Sequence, residues 1–179
     1  EQAAPAADAV PPPVDLNTQI FRYLDSADAE EAASALQAML SNPMITIDRA
    51  VRIIQTERVY SPQPTGTLPE ERIDVQGRAS RLALFIPPTY QPAKEYGLVV
   101  CLHGAGLGGE FILACPTAPM GAWFTRGAEE LVLATIHSVQ RRYHIDPDRI
   151  FLTGMSNGGI GAWVIGMHQA PLFAGLAPM

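Results

Sequence analysis

The sequence predicts an α/β fold, a mostly parallel sheet flanked by helices and preceded by a small N-terminal helical segment. Three observations carry that expectation. Residues 97–102 (Gly-Leu-Val-Val-Cys-Leu) and 111–115 (Phe-Ile-Leu-Ala-Cys) are continuous apolar runs of strand length, the signature of strands buried on both faces. An amphipathic pattern of helical period over 129–143 precedes a third apolar run, 150–153, and a helical stretch follows it. Strands and helices that alternate in this way build parallel sheets.

Residues 1–14 include Pro11-Pro12-Pro13 and no large apolar group besides Val10 and Val14, so an extended or disordered tether is expected there. Residues 15–60 form the helical segment. Leu16, Ile20 and Leu24 recur every four residues, and after a break at Asp25-Ser26 a second stripe follows, made of Ala33, Leu36, Met39 and Leu40 and closed by Asn42-Pro43. A third short helix is expected over 48–55 with Val51 and Ile54 inward. The segment is a candidate cap or protein-docking module, and equally a structural support. Ser61-Pro62-Gln63-Pro64-Thr65-Gly66 is turn-rich and marks the internal boundary. Residues 67–179 then supply the α/β part. Its first two strands, 72–75 and 81–86, read as a hairpin with Gly77 in the turn. The apolar runs 97–102, 111–115 and 150–153 are the next strands, and the helix over 129–143 ends before Asp146-Pro147. A last helix and strand are expected over 158–168 and 173–177.

With 179 residues, 47% of them hydrophobic and 17% charged, the chain suits one compact core plus an appendage. The net charge of −6, with Lys and Arg scattered, argues against nucleic acid as a partner. No run of about 18 apolar residues exists, so no transmembrane segment is expected. No His or Cys pair has ligand spacing, and neither a metal nor another cofactor is expected. Cys101 and Cys115 fall in predicted strands, where a free thiol packs as a small apolar residue; neighbouring parallel strands rarely orient thiols for a disulfide. The opening Glu1-Gln2-Ala3-Ala4-Pro5 suits a mature exported protein, periplasmic or extracellular, although a trimmed chain would look the same.

Chemistry concentrates in 149–161, where an apolar strand runs into Gly154-Met155-Ser156-Asn157-Gly158 and then into a helix rich in small residues. Strand, tight turn and helix are what a nucleophile elbow requires: Gly154 and Gly158 leave room for a strained turn, Ser156 projects its hydroxyl, and the N–H that follows faces the reacting carbonyl. At the end of the 97–102 strand stands His103-Gly104-Ala105-Gly106, a glycine-rich turn that exposes a second donor. The candidate oxyanion donors are therefore the backbone N–H groups of Ala105 and Asn157. His103 and Gly104 brace that turn. His137 and His144 read as surface groups, and His168 as structural.

With both motifs in place, the chain resembles the α/β-hydrolases, and within them the group of polyhydroxybutyrate depolymerases, feruloyl esterases and related phospholipase/carboxylesterase proteins. The residues that carry the likeness are Leu102-His103-Gly104-Ala105-Gly106, Ile145-Asp146-Pro147-Asp148-Arg149-Ile150, Gly154-Met155-Ser156-Asn157-Gly158-Gly159 and Phe173-Ala174-Gly175-Leu176-Ala177-Pro178. The resemblance implies Ser156 as nucleophile, an acyl-enzyme, and hydrolysis of a small or polymeric carboxylic ester, with 67–179 as the N-terminal part of the hydrolase domain. In that group the triad acid and histidine follow the serine on later loops, so both are expected beyond Met179.

One departure from the group's pattern is internal. Only 107–110 separate the glycine-rich turn from the strand at Phe111, too few for the helix the group has there. Either the two strands are not parallel neighbours or residues are absent between Gly108 and Phe111. Two other functions fit the same motifs: a peptidase of prolyl-oligopeptidase type, and an inactive hydrolase-fold subunit that binds or assembles.

Overall fold

Each of the three N-terminal helices starts on a side chain that caps its first turn. The computed structural model describes residues 15–26, 28–75, 77–102, 109–117 and 122–179; the expected tether over 1–14 and the turn at 103–106 lie outside the described residues. The chain divides into two compact units, Glu1–Val59 and Tyr60–Met179.

The first unit holds α1 (Leu16–Asp25), α2 (Ala29–Leu40) and α3 (Ile47–Thr56). Asp15 accepts from the Thr18 N–H at 3.1 Å, Asp28 from the Glu31 N–H at 2.8 Å and Thr46 from the Arg49 N–H at 3.2 Å. Each bond gives an acceptor to a donor for which the helix has none. The Thr18 hydroxyl also donates to Asp15, and these bonds hold the Asp15 carboxyl below its usual range. Leu16, Ile20 and Ile53 form the core, with Phe21, Met39, Ile45 and Ala50 against it.

Expected faces on all three helices are corrected. On α3, Val51 and Ile54 are 43% and 46% exposed while Ile53 is buried. That helix carries two apolar stripes, 47/51/54 and 50/53, and contact with Leu16 and Ile20 selects the second. On α2 the buried residue is Ala35, while Ala33 and Leu40 are exposed; on α1, Leu24 is exposed.

The second unit is a six-stranded sheet in the order β1-β2-β4-β3-β5-β6. An antiparallel hairpin, β1 (Gly66–Val75) and β2 (Arg78–Ile86), turns at Gly77, whose φ of 76° favours glycine. Its register slips by one residue between Leu68 and Glu71. Pro69 stands in that bulge, on the edge strand, where a missing N–H is tolerated. The strands β4 (Ile112–Pro116), β3 (Tyr96–Leu102), β5 (Ile145–Gly154) and β6 (Gly175–Pro178) are parallel.

Of the two alternatives for the short connection, the one in which β3 and β4 are not parallel neighbours is overturned, since Leu98 pairs with Ile112 and Val100 with Ala114. Nine residues join them, a stretch that reaches roughly 30 Å if extended but is too short for a crossover helix. Strand β5 is longer than the run 150–153. Asp146-Pro147, read as a break, lies in a register shift between the pairs Tyr96↔Ile145 and Leu98↔Ile150.

One face of the sheet is covered by α4 (Arg126–Arg142) and α5 (Asn157–His168). Helix α4 starts three residues earlier than its apolar pattern because Thr125 caps it, accepting from the Ala128 N–H. It buries Leu131, Val132, Ile136 and Val139 against Leu82, Leu84, Leu98, Val100 and Ile112; each such side chain contributes about 1.5–3 kcal/mol relative to exposure. At the N-terminal ends of β3 and β5, Tyr90, Tyr96 and Tyr143 form an aromatic knot with ring centroids 5.0 and 5.3 Å apart. Burial raises the pKa of Tyr90 and Tyr143.

The two helices are joined at Glu129, which accepts from Gln169 at 2.7 Å and pairs with His168 Nδ1 at 3.0 Å. The His168 contact, then the Gln169 bond, holds the Glu129 carboxyl below the usual carboxylate range. A carboxylate with a lowered folded-state pKa stabilises the fold fully above its unfolded value, roughly pH 4.3. That contribution fades as pH falls through the lower folded value. Glu129→Gln is expected to remove about 0.5–1 kcal/mol at pH 7, the scale of a partly exposed ion pair. The variant should also lose less stability than the wild type on acidification below about pH 4.3. Denaturant titrations of both proteins at pH 7, 5 and 3.5 measure the difference.

Candidate active site

Strand β5 passes into α5 with only Met155 and Ser156 between them. Reversing a strand into a helix over two residues concentrates the bend at one of them. Ser156 has φ 54° and ψ −117°, the one positive φ of a non-glycine among the described residues. That conformation costs roughly 1–3 kcal/mol and persists only where its surroundings impose it. The residue is exposed, and its hydroxyl makes no capping bond to α5.

Main chain packed on main chain imposes the bend. A Cβ on Gly154 would strike the Gly158 carbonyl, and one on Gly158 would strike the carbonyl of Leu102 at the end of β3. On the β6 side, the Ser156 N–H donates to the Met179 carbonyl at 2.7 Å, and the Met179 N–H donates to the Gly154 carbonyl at 2.8 Å. Ahead of α4, the Trp123 N–H donates to Asn157 Oδ1 at 3.0 Å, and a Cβ on Gly161 would strike Trp123. The turn is thus held by β3, β6 and the segment before α4 together.

Asn157 is the first residue of α5, where N–H groups point out along the axis and partial positive charge favours an anion. The structure therefore brings Ser156, Asn157, Gly154 and Gly158 together at the C-terminal edge of the parallel strands. Ala105, His103 and Gly104 lie outside the described residues; Leu102, the last described residue before them, ends with its carbonyl against Gly158. Sequence reasoning missed the contributions of Trp123 and Met179. The small-residue run 158–162 was the available signal that something approaches α5 closely, but not what.

The histidines divide. His137 is exposed on α4. His144, expected as a surface group, is instead a tie: it stacks on Tyr60 at 4.7 Å, its Nδ1 lies 3.0 Å from the Pro92 carbonyl, and its N–H donates to the Tyr90 hydroxyl. His168 stands twelve residues along α5 from Ser156, roughly 18 Å at 1.5 Å per residue, on Glu129. Beside it a cleft of about 480 Å³ opens between α4 and α5, lined by Phe124, Arg126, Glu129, Leu133 and Val164 among others. On α5 that cleft is lined by Val164, Ile165 and His168, eight or more residues beyond Ser156. Among the described residues no three His, Cys, Asp or Glu side chains converge as a metal site, and no helix is long and apolar enough to cross a membrane.

A solved thermostable esterase is similar to this chain, with a TM-score of 0.54 at 25% identity, over 63% of this chain and 40% of its own. The chain has the α/β-hydrolase fold. Two more distant α/β-hydrolase structures share the fold. FphF, a fluorophosphonate-binding serine hydrolase of Staphylococcus aureus, has a TM-score of 0.53 at 15% identity, over 65% of this chain and 57% of its own. Oligopeptidase B from Leishmania major has 0.51 at 13%, over 63% and 20%. The chain thus spans less than two thirds of each of these hydrolase-fold proteins. No family model and no curated protein sequence matches it.

Gly158→Ala in this hydrolase fold is expected to lower unfolding free energy by about 1–3 kcal/mol, because the obstacle is backbone and cannot rotate away. Gly127→Ala, where a Cβ meets nothing within 4 Å at the start of α4, should act oppositely and add about 0.4–1 kcal/mol. Urea unfolding of the two variants beside the wild type reads both signs.

Proposed function

We propose that the chain carries the nucleophile of a serine hydrolase that cleaves carboxylic esters. The observation that carries this reading is the strained, exposed Ser156 at the mouth of α5. In the proposed reaction its Oγ attacks the ester carbonyl carbon while a histidine, oriented by a carboxylate, takes the hydroxyl proton. The resemblance puts both partners after the serine in sequence. Negative charge moves to the carbonyl oxygen, where the Asn157 and Ala105 N–H groups are the proposed donors; in comparable sites one such donor accounts for roughly 3 kcal/mol of transition-state stabilisation. Collapse expels the alcohol and leaves an acyl group on Ser156, which water then removes.

The likeness to a thermostable esterase at 25% identity supports ester over amide cleavage. Helix α5 supports the charge assignment, because its dipole favours an anion beside its first turn. The full-length protein treated with a fluorophosphonate probe is expected to gain one adduct on Ser156. Its turnover of a short-chain aryl ester should exceed that of an aminoacyl anilide. Ser156→Ala should abolish labelling and lower ester turnover on the order of 10⁴-fold or more. A folded protein with no adduct on Ser156 contradicts this reading and favours a binding scaffold, while preferential anilide turnover favours a peptidase.

A further inference from the structure

Cys101 and Cys115 occupy equivalent places on the two central strands. Strands β3 and β4 pair in parallel through Leu98↔Ile112, Val99↔Leu113 and Val100↔Ala114. One step further in that register sets Cys101 opposite Cys115. Alternation along the strands sends both side chains to the face away from the core of Val100 and Ala114. The thiols touch: a hydrogen bond with Cys115, then burial, pushes the Cys101 thiol far up. Cys101 is buried and Cys115 half-buried, so Cys115 is the more exposed of the two.

We propose that Cys101 and Cys115 are a redox pair that closes into a cross-strand disulfide within the chain. Neighbouring strands run about 4.7–4.9 Å apart, inside the roughly 4.4–6.8 Å that a disulfide spans between Cα atoms. The register sets the two residues side by side, and the hydrogen bond between their thiols brings the side chains into contact. With a small-molecule disulfide as oxidant, the Cys115 thiolate attacks one sulfur of oxidised glutathione and releases one reduced glutathione. The Cys101 sulfur, giving up its proton, then attacks the Cys115 sulfur of the mixed disulfide and releases the second. Two protein thiols are oxidised and one glutathione disulfide is reduced. The bond ties β3 to β4 one residue below Leu102, whose carbonyl supports Gly158 in the elbow.

Both cysteines fall in one tryptic peptide, 95–126, which simplifies the test. The full chain is incubated with oxidised glutathione, alkylated in denaturant with iodoacetamide, digested and weighed. The expected peptide is 2 Da lighter than the reduced form, carries no alkyl group, and takes up two after dithiothreitol. Cys101→Ala under the same conditions should stop at a glutathione adduct on Cys115. Two alkylated cysteines after oxidation, stable glutathione adducts in the wild type, or a disulfide between chains would each overturn the proposal. The wild-type measurement decides even if the variant fails to fold, and it is independent of whether Ser156 is active.

Discussion

Backbone contact at the C-terminal ends of three strands governs everything above it. Helix α5 begins so close to β3 and β5 that Gly158 lies against the Leu102 carbonyl and Gly154 against Gly158. With no space for a wider loop, the chain reverses through a serine in a conformation that L-residues avoid. The energy of that bend comes from elsewhere in the sheet. Strand β6 contributes through the paired bonds of Met179 with Ser156 and Gly154, and the buried Trp123 contributes by fixing the Asn157 side chain.

The two ends of the sheet do different work. At the N-terminal ends of β3 and β5, the tyrosine knot and His144 are buried or half-buried and tied to the loops around them by hydroxyl and backbone bonds. At the opposite ends Ser156 is exposed at the start of α5. The four parallel strands make this division possible, because they deliver their C-terminal ends, and the loops that follow, to one edge.

Much of this was legible in sequence because it rests on local signals. Continuous apolar runs announced β3, β4 and β5, and glycine spacing around Ser156 announced the elbow. What escaped depended on partners distant in the chain. Whether α3 turns 47/51/54 or 50/53 inward is decided by α1, since both stripes are apolar. Asp146-Pro147 reads as a break, yet the sheet absorbs it as a register shift because Tyr96 still finds Ile145. The Trp123–Asn157 bond spans 34 residues and has no local signature.

The inner face of α5 has a consequence for how this protein can change over generations. Gly158, Gly159, Gly161, Ala162 and Gly166 are buried, while Ile160, Trp163 and Met167 on the same helix are more than half exposed. Substitution is therefore nearly closed on one side of a single helix and open on the other. Lineages can remodel what the outer surface meets without disturbing the bend beneath it.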